Sequence, residues 1–262
     1  MNVVIAIDSF KGSLTSMEAG RAIADGISEA IDANVIIRPI ADGGEGTVDA
    51  LVSGLDGEFF TSQVTGPLGT PVNANWGVIE VGGIRTAIIE MAEASGIALL
   101  RKEELNPLKT TTYGVGELIN IAIKDGIHNF VIGIGGSATN DGGTGMLQAL
   151  GFEFLDFAGH PISRGAEGLK NLSSVNHSNV IPELKECNFK VACDVTNPLC
   201  GDLGCSNVYG PQKGATPKMI EEMDSWLKNY ALISCGDPDF PGSGAAGGMG
   251  YAFRTFMNAT LE

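Results

Sequence analysis

The sequence predicts an α/β protein that is built from two α/β domains. Short apolar runs at residues 3–7 and 35–37 alternate with helical patterns, which is the order expected for an open α/β sheet. Residues 58–93 instead alternate polar and apolar side chains between Gly-Pro and Gly-Gly turns, a pattern typical of antiparallel strands. We therefore expect one domain over residues 1–56 and a second domain, with a mixed sheet, over residues 57–262.

The first domain reads as strand, helix, strand, helix. Residues 3–7 predict a strand that ends at Asp8, and Thr15 and Glu18 have the spacing of a capping box that opens a helix. Residues 35–37 predict the second strand and residues 47–55 the second helix. Two strands with their helices are too few to bury both faces of a parallel sheet. We therefore expect strands from elsewhere to complete this domain.

The second domain begins with the meander and then returns to helix–strand alternation. Its predicted elements, in chain order, are strands over 58–93, a helix over 114–124, a strand over 129–133, a helix over 143–150, a hairpin over 152–162, a weakly patterned segment over 163–186, a strand over 189–193, a helix over 216–232, and a last helix that follows the stretch PGSGAAGGMG.

Composition excludes several classes of partner. The formal net charge is −15, so the surface repels nucleic acid and anionic membranes. The five cysteines include no C-x-x-C pair, which favours free thiols in a reducing cytoplasm over a zinc site. No apolar run reaches the roughly 20 residues that cross a bilayer. We expect a cytoplasmic protein with a small-molecule substrate, and the oligomeric state, including a homo-oligomer, stays open.

The stretch GIGGSATNDGG, residues 133–143, directly follows an apolar strand. Glycine allows sharp bends and close approach of the backbone to a ligand, and the small polar side chains indicate that the ligand is polar. In an open α/β sheet, ligands bind at the carboxyl ends of the strands. The candidate ligand-binding residues here are Gly135, Gly136, Ser137, Asn140 and Asp141.

Two spacings leave a different reading open. Gly133-x-Gly135-x-x-Ala138 and Gly242-x-Gly244-x-x-Gly247 both fit the dinucleotide fingerprint, which would suit an NAD-dependent oxidoreductase. The polar insert over residues 137–141 separates the first match from its helix and favours a short anion or a hydroxy acid. A non-catalytic acid-binding protein is a further alternative.

The stretch DSFKGSL, residues 8–14, follows the first strand and precedes a helix. A helix N-terminus with a nearby lysine is a favourable site for an anion. We interpret Lys11 as a counter-charge for a substrate or for a transferring group, and we expect Asp8 and Ser9 to contact the ligand.

The stretch ADGGEGT, residues 41–47, occupies the corresponding place after the second strand. Asp42 and Glu45 could hold Mg²⁺ or accept a proton from a hydroxyl. Gly43 and Gly44 would let the backbone approach the ligand.

Two later stretches repeat this arrangement. In CDVTNP, residues 193–198, Asp194 follows a strand and Asn197 lies three residues on; in GPQKGA, residues 210–215, Lys213 precedes a helix. We include Asp194, Asn197 and Lys213 among the candidate site residues.

Taken together, these stretches closely resemble the bacterial glycerate kinase type-1 family. The resemblance covers essentially all 262 residues and is carried by DSFKGSL, ADGGEGT, VTGPLGTPV, EMAEASG, TTYGVGELI, GIGGSATNDGG, ACDVTNPLCG, GPQKGA and PGSGAAGG in this order. It implies an enzyme that moves the γ-phosphoryl group of ATP to D-glycerate with Mg²⁺, and the usual product in this family is 2-phosphoglycerate.

The resemblance also implies roles and a domain plan. Lys11, Asp42 and Asp194 become the catalytic candidates, with Asp42 slightly favoured as general base and Asp194 as the Mg²⁺ ligand. The N-terminal domain becomes Rossmann- or flavodoxin-like and discontinuous. Family members continue beyond the point matched by Glu262, so we expect that domain to be incomplete in this chain and its activity to depend on the absent part.

Overall fold

The computed structural model describes residues 1–8, 10, 13–40 and 46–262. Its first unit consists of β1 (Asn2–Ile7), α1 (Ser16–Ala30), β2 (Asn34–Pro39) and α2 (Thr47–Gly54). β1 and β2 pair in parallel along their full length and form a two-stranded sheet of their own. The predicted strand–helix–strand–helix order is confirmed.

The start of α1 follows the predicted capping box. The Thr15 side-chain oxygen accepts a hydrogen bond from the Glu18 backbone N–H at 3.2 Å, and the Glu18 carboxylate accepts one from the Thr15 N–H at 2.8 Å. These two bonds satisfy donors that the first turn of a helix otherwise leaves without partners.

The remaining strands and helices belong to the second unit. Its strands are β3 (Glu58–Thr65), β4 (Pro71–Val81), β5 (Ile84–Glu90), β6 (Asn129–Gly133), β7 (Glu153–Leu155), β8 (Ser174–Asn176), β9 (Asn188–Ala192) and β10 (Thr260–Leu261). Its α-helices are α3 (Met91–Ser95), α4 (Tyr113–Lys124), α5 (Thr144–Ala149), α6 (Cys205–Tyr209), α7 (Pro217–Ser234) and α8 (Ala245–Met257).

Six of these strands form one mixed sheet in the order β10-β9-β6-β5-β4-β3. The meander β3-β4-β5 is antiparallel, whereas β5, β6, β9 and β10 run parallel to one another. Ala87, Ile88 and Ile89 of β5 are fully buried, as expected for a strand covered on both faces. The predicted mixed sheet is confirmed.

The first unit packs against this sheet through α2. Val48 and Val52 of α2 form an apolar cluster with Ile79 and Ile88. Gly77 allows the close approach, because a Cβ at this position would lie 2.3 Å from a methyl of Val52.

The predicted hairpin over residues 152–162 is present. Leu155 and Pro161 form an antiparallel bridge, and the Ile162 N–H donates to the Phe154 carbonyl at 2.9 Å. The Asp156 carboxylate closes the tight loop between them by accepting hydrogen bonds from the N–H groups of Ala158 and His160. The sequence did not predict that β7 also pairs antiparallel with β8, which lies in the segment expected to be weakly patterned.

Two glycines in helices should respond oppositely to substitution by alanine. A Cβ at Gly116 in α4 would lie 2.2 Å from the Met146 carbonyl oxygen, whereas a Cβ at Gly26 in α1 has no atom within 4 Å. Alanine is favoured over glycine in a helix interior by about 1 kcal/mol. We expect Gly26→Ala to raise the free energy of unfolding by up to about that amount and Gly116→Ala to lower it by about 1–3 kcal/mol because it overpacks the contact with α5. Urea unfolding of both variants tests this, and a stabilised Gly116→Ala protein would contradict the close packing.

Candidate functional site

The register of the parallel strands brings two predicted loops, those after β6 and β9, to one edge of the sheet beside the end of β5. Glu90, the last residue of β5, pairs with Gly133 of β6, and Gly133 pairs with Ala192 at the end of β9. Because these strands run in the same direction, the segments that follow them begin side by side. This edge is where α/β sheets bind ligands.

The first feature of this edge is the glycine loop, which we define as residues 134–143. It runs beside α3 and the residues that follow it: the Ala138 N–H donates to the Ser95 carbonyl at 3.0 Å, and the Ile97 N–H donates to the Gly136 carbonyl at 2.8 Å. Gly136 has a φ of +72° and is exposed. Gly135 is half-buried, so the predicted ligand-binding glycines lie at the outer part of the loop.

Asp141 anchors the inner part of the glycine loop. Its carboxylate is fully buried and accepts hydrogen bonds from the Thr112 backbone N–H and hydroxyl, both at 2.9 Å, and from the N–H groups of Gly143 and Gly145. Burial raises the pKa of Asp141, and these hydrogen bonds act in the opposite direction. The contacts are those of a side chain that joins the loop to the starts of α4 and α5. Its predicted contact with a ligand stays a prediction.

A buried lysine lies against the same loop. Lys213 is 1% exposed, and its Nζ donates to the Ser137 Oγ at 2.7 Å and to the Thr139 carbonyl oxygen at 2.6 Å. Burial lowers the pKa of Lys213 to about 8, and the charges of Cys205 and Asp141 oppose this shift. The predicted residues Ser137 and Lys213 are thus in direct contact.

The loop also contains polar atoms without a partner in the described part of the chain. The Asn140 amide donates to the Ser206 hydroxyl at 2.8 Å, but the Asn140 Oδ1 and the Thr139 Oγ1 are buried and unpaired there. The start of α8 packs directly on this part of the loop, because a Cβ at Gly247 would lie 2.1 Å from the Thr139 carbonyl oxygen. The stretch PGSGAAGG therefore supports the glycine loop from one side.

The segment after β9 carries Asp194 and Asn197. Asp194 is exposed, whereas both ends of the Asn197 amide are engaged: its Nδ2 donates to the Leu203 carbonyl at 2.8 Å, and its Oδ1 accepts from the Tyr209 hydroxyl at 2.7 Å. Among the described residues, no three carboxylate, thiol or imidazole groups are grouped as metal ligands. The role of Asp194 as a metal ligand stays a prediction.

Several predicted residues lie outside the described residues. These are Ser9, Lys11, Asp42, Gly43, Gly44 and Glu45. Their neighbours are described: Asp8 follows β1 and is half-buried, and the Ile40 N–H donates to the Ile7 carbonyl at 3.1 Å.

Glu90 is a residue of this edge that sequence reasoning missed. It is 5% exposed, and its carboxylate accepts hydrogen bonds from the Val48 N–H at 2.6 Å and the Gly46 N–H at 3.3 Å. Because Gly46 gives α2 no side-chain cap, the carboxylate from the second unit satisfies the donors at this helix start. The signal was available in EMAEASG, where an acid follows an apolar strand just as Asp194 does.

Burial raises the pKa of Glu90 to about 7. The two backbone hydrogen bonds lower this pKa, and the negative charges of Glu93 and Asp49 raise it by a smaller amount. A carboxyl group whose pKa is raised in the folded state binds its proton more tightly there than in the unfolded chain. The resulting stabilisation is full below the unfolded pKa of 4.5 and is lost as the pH rises through about 7.

Glu90→Gln removes this titration. Between pH 4.5 and 8, we expect the free energy of unfolding of the unsubstituted protein to fall relative to that of Glu90→Gln by about 3 kcal/mol. Urea unfolding across this range measures the difference, and Glu80→Gln, at an exposed position of β4, is the matched control. Parallel pH profiles for Glu90→Gln and the unsubstituted protein would contradict the burial of this carboxyl group.

No helix in the described ranges has both the length and the apolar character that a membrane span requires. None of the five cysteines forms a disulfide bond with another.

The chain is similar to several known proteins along its whole length. The chain is 49% identical to the glycerate 2-kinase of Escherichia coli (strain K12), with 100% of this chain and 70% of that protein covered, and 46% identical to the glycerate kinase of Bacillus subtilis (strain 168), with the same shares covered. A crystal structure described as glycerate kinase 2 from Salmonella typhimurium LT2 superimposes with a TM-score of 0.93 at 49% identity, covering 100% of this chain and 71% of the other. The model of the glycerate kinase family matches residues 3–262. The chain therefore belongs to the glycerate kinase family.

Proposed function

We propose that this protein transfers the γ-phosphoryl group of ATP to a hydroxyl of D-glycerate and gives 2-phosphoglycerate in preference to 3-phosphoglycerate. The observation that carries the proposal is the register of β6 and β9, in which Gly133 pairs with Ala192, so the two segments that follow, with Gly135, Gly136 and Ser137 in one and Asp194 in the other, begin side by side at the edge where Glu90 ends β5. Family membership supplies the reaction class, and the name of the Escherichia coli relative supports the 2-hydroxyl as acceptor.

The charges of the substrates explain why the site needs local cations. D-glycerate carries a carboxylate and ATP carries several phosphate charges, while the protein has a formal net charge of −15. Phosphoryl transfer depends on positioning and on neutralising this charge. In the proposal, Lys213 places a positive charge behind the glycine loop, and Lys11 supplies another. Gly135, Gly136, Ser137 and Asn140 form the part of the loop that receives the ligand.

The attacking hydroxyl needs a proton acceptor, and two aspartates are candidates. Asp194 lies exposed after the end of β9, and Asp42, which lies outside the described residues, follows β2 in the sequence. We assign the general base to Asp42 and the metal ligand to Asp194. Mg²⁺ in proteins is commonly held by only one or two carboxylates together with phosphate oxygens and water, so a single exposed carboxylate at this edge fits it. Bound there, Mg²⁺ would offset phosphate charge.

The oxidoreductase alternative loses its structural basis. In the dinucleotide fingerprint, the glycines run from a strand directly into a helix. Here α5 begins only at Thr144, and Ala138 is buried inside the loop. The second match, over residues 242–247, ends within three consecutive left-handed residues, 246–248, at the start of α8.

The proposal includes the wider organisation of the protein. The β1–β2 unit, which has a sheet of its own, forms the first segment of a discontinuous N-terminal domain, and this segment ends near residue 56. The mixed sheet belongs to the second domain. We assign the protein to the cytoplasm, with D-glycerate and ATP as its small-molecule partners.

Incubation of the full-length protein with ATP, Mg²⁺ and D-glycerate tests the activity. Phosphorus NMR distinguishes 2-phosphoglycerate from 3-phosphoglycerate, and L-glycerate is the matched control substrate. We expect the phosphorus signal of 2-phosphoglycerate to grow only when both ATP and D-glycerate are present. Binding of D-glycerate without turnover would favour the acid-binding alternative. Reduction of NAD, supplied with D-glycerate in place of ATP, would restore the oxidoreductase alternative.

Asp42→Asn and Asp194→Asn should separate the two carboxylate roles. Loss of the general base should lower kcat by at least about a hundredfold while the KM for ATP changes little. Loss of the metal ligand should raise the Mg²⁺ concentration needed for half-maximal rate. Asp202→Asn, nearby in the chain but outside the candidate set, controls for the loss of one negative charge. Near-normal rates in both variants would show that the assignment is wrong.

A further inference from the structure

Lys213 is buried more deeply than a lysine that contacts a substrate directly would need to be. Its side chain is 1% exposed, and its ammonium donates hydrogen bonds to the Ser137 hydroxyl oxygen and the Thr139 carbonyl oxygen. Within residues 46–262 it forms no ion pair with a carboxylate. A buried charge is costly unless it is well hydrogen-bonded, so this cation is kept in place by the glycine loop itself.

The direction of the hydrogen bond to Ser137 is fixed by chemistry. An ammonium group has three donors and no acceptor, whereas a hydroxyl has one donor and two acceptor lone pairs. Ser137 Oγ must therefore accept from Lys213, and its own proton is left to donate elsewhere. Among the described residues, the hydrogen bond that the Ser137 hydroxyl forms is the one it accepts from Lys213, and Ser137 is 7% exposed against 1% for Lys213.

We infer that Lys213 is a positioning residue that acts on the substrate anion through Ser137. Its ammonium holds the Ser137 oxygen as an acceptor, so the hydroxyl proton points to the open side of the glycine loop and donates to a carboxylate or phosphate oxygen. The charge behind the hydroxyl makes that donor stronger, because hydrogen bonds assisted by a charge are stronger than neutral ones. The inference rests on the proposed function and names the group of the site that meets the anion.

This arrangement predicts that anion affinity depends on pH in a specific way. The titratable groups that face Lys213 are Cys205 from α6 and Asp141 from the glycine loop, both buried. When Lys213 loses its proton, at a pH near 8, the neutral amine gains a lone pair that can accept from Ser137. The hydroxyl proton then turns inward and is lost to the ligand. Anion affinity should therefore fall as the pH rises through about 8, and the fall should require the Ser137 hydroxyl.

A double-mutant cycle on the full-length protein tests the relay. Calorimetric titration measures the Kd of D-glycerate, and separately of inorganic phosphate, for Lys213→Met, Ser137→Ala and the double variant at pH 7 and 9. Lys218→Met, which removes an exposed lysine of α7, is the matched control. Ser137→Thr keeps the hydroxyl and is the conservative variant. Thermal melts show whether each variant is folded.

At pH 7, we expect Lys213→Met and Ser137→Ala each to raise the Kd by about tenfold or more. The Kd of the double variant should exceed the higher of these two Kd values by no more than about threefold. Ser137→Ala should bind D-glycerate, whose carboxylate is ionised at both values, equally at pH 7 and 9, whereas the unsubstituted protein and Ser137→Thr should bind it more weakly at pH 9. Lys218→Met should match the unsubstituted protein.

Multiplicative losses in the double variant would overturn the relay, because they would show that Lys213 reaches the anion independently of Ser137. An unchanged Kd in Ser137→Ala, or a pH dependence that persists in it, would overturn it as well. If Lys213→Met does not fold, Ser137→Ala and its pH dependence still decide. Binding of phosphate but not of D-glycerate by the unsubstituted protein would refute the proposed function and leave the cycle readable with phosphate. Binding of neither would refute both.

Discussion

The parallel register of β5, β6 and β9 is the constraint on which the candidate site depends. It aligns Glu90, Gly133 and Ala192 in one row, so the segments after these strands start at the same level. A shift in the register of one strand would move its loop along the sheet relative to the other two and turn its side chains to the opposite face. The buried β5, packed on both faces, makes such a shift costly because Ala87, Ile88 and Ile89 would all lose their places in the core.

Three buried ionisable groups hold the backbone at and beside this edge. Glu90 holds the start of α2, Asp141 joins the glycine loop to α4 and α5, and Lys213 supports the same loop at Ser137 and Thr139. Their desolvation is offset by hydrogen bonds to backbone groups rather than by ion pairs with one another. Because a backbone partner fixes where the chain runs, these interactions specify loop positions more than they add stability. The charges therefore serve the geometry of the site.

Sequence patterns predicted the elements that depend on local information. The capping box at Thr15, the amphipathic helices and the alternating meander all reflect contacts within one element or between neighbours, and the structure confirms them. The pairing of β7 with β8 joins segments separated by a loop that the pattern did not resolve. The position of Glu90 after an apolar strand was visible in the sequence, but its role was not: its partners Gly46 and Val48 lie more than forty residues earlier in the chain, and no periodicity reports such a contact.

Lys213 shows why residue type and position alone do not give a role. In GPQKGA, a lysine before a helix reads as a surface cation that meets an anion directly. Its enclosure depends on separate segments: Ser137 and Thr139 cover the ammonium, Cys205 lies beside it, and the turn at Gly214 packs so closely on Leu105 that a Cβ would lie 2.4 Å from the carbonyl oxygen. Only the folded chain brings these segments together. In the proposed relay, a cation enclosed in this way changes the donor strength of the loop in front of it, so that a neutral hydroxyl meets the anion while the charge stays out of solvent.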